Sequence, residues 1–279
     1  MRFRWLSTAT LALALSTTPA LAAPRPAAVI PLEPYLGVLW SFHAKVKGRD
    51  ARFLLDTGGG LTVVSPDTAK LEGCTPWGQL TGFRMRGDRV DTPRCDGVAI
   101  DVQGVALHAP TAGVFDIGKL LPKDAPPLAG SVALDSFAGR IVTLDLAHKR
   151  LIVETPASAR ARTAHAREVA IRVIRDVEGL SVDPLLGIET KSGRIWLEID
   201  CGSDGTVIVN RPIAAALGLD PNHKGSQPLD AVVAGGVPLH TRTLVQDLII
   251  DGNIGSPVLS KWLLTLDLAR QRAWIADAG

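Results

Sequence analysis

TLDLAHKRLIVE, residues 143–154, returns as TLDLARQRAWIA at 265–276. Thr, Leu, Asp, Leu, Ala and a later Arg recur at identical offsets. Upstream of the two copies, in the same order, lie GSVALDSF (130–137) and GNIGSPVL (252–259). Further upstream, ARFLLDTGGGLTVV (51–64) lies over WLEIDCGSDGTVIV (196–209), which sets Asp56 over Asp200. Three matches in one order mark an internal duplication, and a duplicated chain of this length folds as two similar lobes. From the carboxylate to the TLDL aspartate the first half spans 89 residues (56 to 145) and the second 67 (200 to 267). The second half is therefore expected to lack a hairpin present in the first.

The periodicity within each half is that of strands. GVLWSFHAKVKGRDARFLLD (37–56) reads as two strands turning at Lys47-Gly48-Arg49-Asp50. GVAIDVQGVALHAP (97–110) alternates and turns near Gln103-Gly104, and IVTLDLAHKRLIVE (141–154) turns at Ala147-His148-Lys149. Two short segments, SPDTAKLEG (65–73) and NRPIAAALGL (210–219), each open with a capping residue and a proline and end at glycine, so they read as brief helices. They fall at matching places in the halves. Between the halves, TPASARARTAHARE (155–168) is Ala- and Arg-rich without apolar periodicity and reads as an inter-lobe linker. The expected architecture is mainly β: a first lobe over 35–154 and a second over 169–277, each a small β-barrel-like domain with one or two short helices, related by a pseudo-twofold axis.

Residues 1–22 have a basic start at Arg2 and Arg4, an apolar middle and the small-residue pattern Ala20-Leu21-Ala22, as in a secretory signal peptide. The apolar stretch is far shorter than the roughly 20 residues that cross a bilayer. Cleavage near Ala22 removes two arginines and no acid, so the formal charge falls from +2 to 0. Such a chain offers no overall field to nucleic acid or anionic lipid. Export implies an oxidising compartment, the periplasm if the source is Gram-negative. There Cys74 and Cys95, which bracket a short polar segment, can pair, closing a loop that contributes on the order of 3 kcal/mol. The other reading is two separate buried thiols. Cys201 is the odd cysteine.

A carboxylate that ends an apolar strand and is followed by glycine suits a tight loop that pushes the side chain into a cleft. Two such loops meeting on a pseudo-twofold axis bring two carboxyls together. Like charges at that range cannot both ionise, and the pair holds one proton between them. One group then takes a proton from water while the other gives one to a carbonyl oxygen, which is general acid–base hydrolysis without a cofactor or metal.

In Asp56-Thr57-Gly58, Asp200-Cys201-Gly202-Ser203, GSVALDSF and GNIGSPVL, the chain resembles the aspartic proteases of pepsin and retropepsin type. It looks closest to bacterial aspartyl proteases built from two retropepsin-like repeats. The resemblance covers about residues 35 to 277. It implies the two-lobed acid-protease fold, Asp56 and Asp200 as the catalytic pair, and loop support from Thr57, Gly58, Cys201, Gly202 and Ser203. It also implies a peptide or protein substrate, and a monomer because both carboxyls lie in one chain. A hairpin would close over the cleft, with TGFRMRGDRV (81–90) and VVAGGVPLHTR (232–242) as the candidate segments. Three positions depart from the family pattern. Gly59 and Cys201 replace hydroxyl or small residues beside the carboxyls, and Ala133 stands where glycine is expected.

Those departures motivate a second reading, a weak or inactive protease-like module in the cell envelope that binds peptides or proteins. A structural protein with an empty cleft is a third. No G-x-S-x-G, paired-histidine or phosphate-loop motif is present. Asp145 and Asp267, which also recur, are read as turn residues that accept backbone N–H bonds.

Overall fold

The computed structural model describes residues 23–279. The expected signal peptide, 1–22, lies outside the described residues. Three sheets organise the chain. An eight-stranded sheet runs from Glu33–Tyr35 to Gly130–Val132, and a seven-stranded sheet from Ile171–Ile174 to Gly252–Gly255. The third sheet has six strands and draws three from each half: Ala28–Pro31, Arg150–Glu154 and Ile141–Asp145, then Trp262–Asp267, Arg272–Asp277 and Arg167–Val169.

That third sheet explains the repeated TLDL. The two copies pair antiparallel with each other, Val142 opposite Leu266 and Thr143 opposite Thr265. The hydroxyls of Thr143 and Thr265 meet at 2.9 Å, on the approximate twofold between the halves. Its central strands, Ile141–Asp145 and Trp262–Asp267, are buried on both faces, so they read as apolar runs. Asp145 and Asp267 close their hairpins by accepting from the backbone N–H of His148 at 3.3 Å and of Arg270 at 3.0 Å.

The predicted turns are tight. Lys47 and Gly48, and Gln103 and Gly104, adopt positive φ, the conformation that two-residue hairpin loops need. The helix Pro66–Glu72 starts at Ser65, whose hydroxyl accepts from the Thr68 N–H, and stops at Gly73 in left-handed geometry. Its end is tied to the strand Arg89–Val102 by a disulfide between Cys74 and Cys95, whose Cα atoms are 6.0 Å apart. The seven-stranded sheet has no counterpart of the strand Trp77–Phe83 that pairs there.

The connector is more ordered than its composition suggests. Pro156–Thr163 is a helix, held by a capping box between Thr155 and Ser158 and by an ion pair from Arg162 to the buried Glu154. Capping and one buried charge pair hold this helix in place of an apolar stripe. The second-lobe hairpin also differs from expectation. Its Gly235-Gly236 tip packs on Arg167–Val169, not over a cleft: a Cβ on Gly235 would lie 2.3 Å from the Glu168 carbonyl oxygen. Among the described residues no helix is long and apolar enough to cross a membrane.

Candidate active site

Asp56 follows the strand Arg49–Leu55, and Asp200 ends the strand Gly193–Asp200. Each strand is flanked in parallel by the later repeated segment, Leu55 beside Val132 and Ile199 beside Ile254. A parallel neighbour on that side requires the chain to pass behind the loop, so the loop is pushed forward into the lobe boundary. Glycine is compulsory at one of these crossings. A Cβ on Gly255 would sit 1.9 Å from the Gly205 carbonyl oxygen. Its first-lobe counterpart, Ala133, is buried, and its N–H donates to the Thr62 hydroxyl at 3.1 Å.

The two loops lock together beneath the carboxyls. The fully buried Thr57 hydroxyl donates to the Ile199 carbonyl at 2.7 Å and accepts from the Cys201 N–H at 2.9 Å. The reciprocal contact is weaker, since Cys201 Sγ donates to the Leu55 carbonyl at 3.4 Å. Ser256 adds support by donating to the Cys201 carbonyl at 2.8 Å. Burial pushes the Cys201 thiol up to about 12, which removes it as a nucleophile at neutral pH.

Above the lock, Asp56 and Asp200 face each other. A Cβ on Gly58 would lie 2.8 Å from Asp200 Cγ, and one on Gly202 would lie 2.6 Å from Asp56 Oδ1. Both glycines are therefore needed for the carboxyls to approach. Gly58 N–H donates to Asp56 Oδ1 at 3.2 Å and Gly202 N–H to Asp200 Oδ1 at 2.8 Å. Ser203 contributes its backbone N–H to Asp200. Burial raises both carboxyls, and on Asp200 the neighbouring Asp56 charge adds to it. Gly59 lies against Asp56, where a Cβ would be 3.2 Å from Oδ2, so a side chain there would touch the carboxyl.

The surroundings are not symmetric. Asn253 Nδ2 donates to Asp200 Oδ2 at 2.9 Å, while its first-lobe counterpart Ser131 makes no such bond to Asp56. Two further acids stand close by. Glu198 precedes Asp200 by two residues on the same strand and so shares its face. Asp183 begins the adjacent strand, where the register that pairs Leu185 with Glu198 sets Asp183 across from Asp200. Burial and then like charge lift Asp183 to about 7 and Glu198 to about 9. Asp135, buried beside Thr62, is raised to about 6 by burial. Sequence reasoning passed over Asn253, Glu198 and Asp183. Their signal was an acid or amide interrupting apolar runs at WLEID, GNIG and SVDP.

The first-lobe hairpin reaches across the boundary. At its tip the Met85 carbonyl accepts from the Ile249 N–H at 3.0 Å, and Gly87 lies against the Ile249 side chain. Of the two candidate hairpins, this is the one that spans the lobes.

Two lobes, two facing loops and a hairpin across them define the acid-protease fold. Residues 42–130 match the family model described as aspartyl protease. Among solved structures, the chain is similar to basic 7S globulin from soybean at 10% identity and a TM-score of 0.58, covering 90% of this chain and 94% of that one. It is likewise similar to conglutin gamma, a basic 7S globulin from lupine seeds, at 10% identity and a TM-score of 0.56, covering 91% and 96%. At such identity the likeness is one of fold. No curated protein sequence matches the chain.

Proposed function

We propose that the chain is an exported aspartic peptidase that hydrolyses peptide bonds with water activated by Asp56 and Asp200. The observation that carries this reading is the approach of the two carboxyls, which only Gly58 and Gly202 permit. The pair holds one proton between its two carboxyls, and the Asn253 amide, which donates to Asp200 Oδ2, favours the form with the charge on Asp200 and the proton on Asp56. Asp200 takes a proton from water as its oxygen attacks the scissile carbonyl carbon. Asp56 gives its proton to the carbonyl oxygen. The resulting diol collapses when Asp200 passes its proton to the nitrogen, the C–N bond breaks, and Asp56 recovers a proton from the diol hydroxyl. The chain supplies both carboxyls itself, so it works as a monomer. The signal-like N-terminus and the disulfide both suit an oxidising compartment such as the periplasm.

Asp200→Asn should lower turnover about 100- to 10,000-fold while circular dichroism stays unchanged. Unchanged turnover in the purified variant rejects the pair. The second reading, a binding module with weak or no catalysis, draws on the long Cys201 to Leu55 contact and the missing side chain at Gly59. It predicts peptide binding with no cleavage sensitive to a statine-type inhibitor at any pH.

A further inference from the structure

A twofold site should treat both sides of its substrate alike unless the duplicated positions differ. Three of them do. Register places Leu39 across from Asp56 as Asp183 is across from Asp200. Leu54 and Glu198 each precede their aspartate by two residues, and Ser131 and Asn253 are their respective partners in the parallel strand. The first lobe thus offers two leucines and a serine where the second offers two acids and an amide.

The second-lobe set lacks what it needs. The groups that act on Glu198 are Asp200, Asp183 and Asp56, and those on Asp183 are Asp176, Asp56 and Asp135 together with the Ser181 hydroxyl. Among the described residues neither carboxyl has a Lys, Arg or His within ion-pair distance. Asn253 is fully buried, its Nδ2 is spent on Asp200, and its Oδ1 has no hydrogen-bond partner. Unpaired acids and an orphan acceptor call for a donor that carries positive charge. Among the described residues no group of three or more ligating side chains is placed to hold a metal ion.

We propose that Glu198, with Asp183 and Asn253, forms a subsite for a basic peptide side chain on one side of the scissile bond, while Leu39 and Leu54 receive an apolar one on the other. A lysine ammonium or arginine guanidinium there pairs with carboxylates that otherwise repel each other. The raised affinity of Glu198 and Asp183 for protons is the ligand-free counterpart of the same deficit. The subsite rests on the hydrolytic reading for its place in catalysis, but binding tests it independently.

The experiment uses the full chain and paired peptides that differ only by lysine or norleucine at residues flanking the cleaved bond. Cleavage is followed by mass spectrometry and binding by fluorescence anisotropy. The wild type should prefer lysine by about tenfold or more, and Glu198→Leu, which installs the first-lobe residue, should reverse the ratio. Glu198→Gln keeps the shape and should abolish the preference, which covers the case of a misfolded leucine variant. Equal handling of the two peptides by the wild type, or a lysine preference that survives both variants, overturns the subsite. If neither peptide is cleaved, the hydrolytic reading fails. A lysine preference in binding that Glu198→Gln removes then still supports the subsite, and its absence overturns it.

Discussion

Glu198 makes a quantitative test of the acid cluster. Burial, and then the charges of Asp200, Asp183 and Asp56, raise it from 4.5 to about 9. Below pH 4.5 the residue is protonated in both the native and unfolded chain and costs nothing. As pH rises from there toward 9, the unfolded chain releases its proton and the native chain keeps it, so stability falls with pH across that window. Between pH 4.5 and 7.5 the full effect is about 4 kcal/mol at 1.36 kcal/mol per pH interval. Partial exposure and shared titration with the neighbours reduce it to roughly 2 to 4 kcal/mol. Glu198→Gln removes the charge and keeps the shape. Urea unfolding with the disulfide intact should show the variant more stable than the wild type by roughly 2 to 4 kcal/mol at pH 7.5, and within about 1 kcal/mol at pH 4.5. An equal gap at both pH values, or a weaker variant at pH 7.5, refutes the assignment of an unpaired buried acid.

Two more substitutions test how the loops are built. Gly202→Ala puts a Cβ 2.6 Å from Asp56 Oδ1, so it should separate the carboxyls and cut kcat/KM by about 100-fold or more, with a urea midpoint close to that of the wild type. Thr57→Val strands the Ile199 carbonyl and the Cys201 N–H in the core, and should cost about 2 to 5 kcal/mol in the same unfolding assay.

The two-lobed layout was readable in the sequence because its marks are local. A carboxylate then glycine after an apolar strand, and a TLDL hairpin, each declare themselves within a dozen residues. The short helices declared themselves too, through Ser65-Pro66 and Gly73, and through Pro212 and Gly218. What escaped depends on partners distant in the chain. Asn253 gains meaning only when a parallel strand lays it beside Glu198, 55 residues earlier. Asp183 gains its meaning only from the register of the strand pair that ends at Asp200. The connector helix escaped because caps and a buried Glu154, not an apolar stripe, hold it. The second-lobe hairpin has the glycine-rich tip of a cleft cover, but its contact with Val169, more than 60 residues earlier in the chain, fixes it elsewhere.

The sheet that joins the halves has a consequence for the chain's integrity. Backbone hydrogen bonds between Ile141–Asp145 and Trp262–Asp267 cross the axis, and the outer strands wrap around them on both sides. Peptide continuity through residues 164–166 is therefore not what keeps the two aspartates aligned. Two separately made polypeptides would be held in the same alignment, as a pair of unlike subunits.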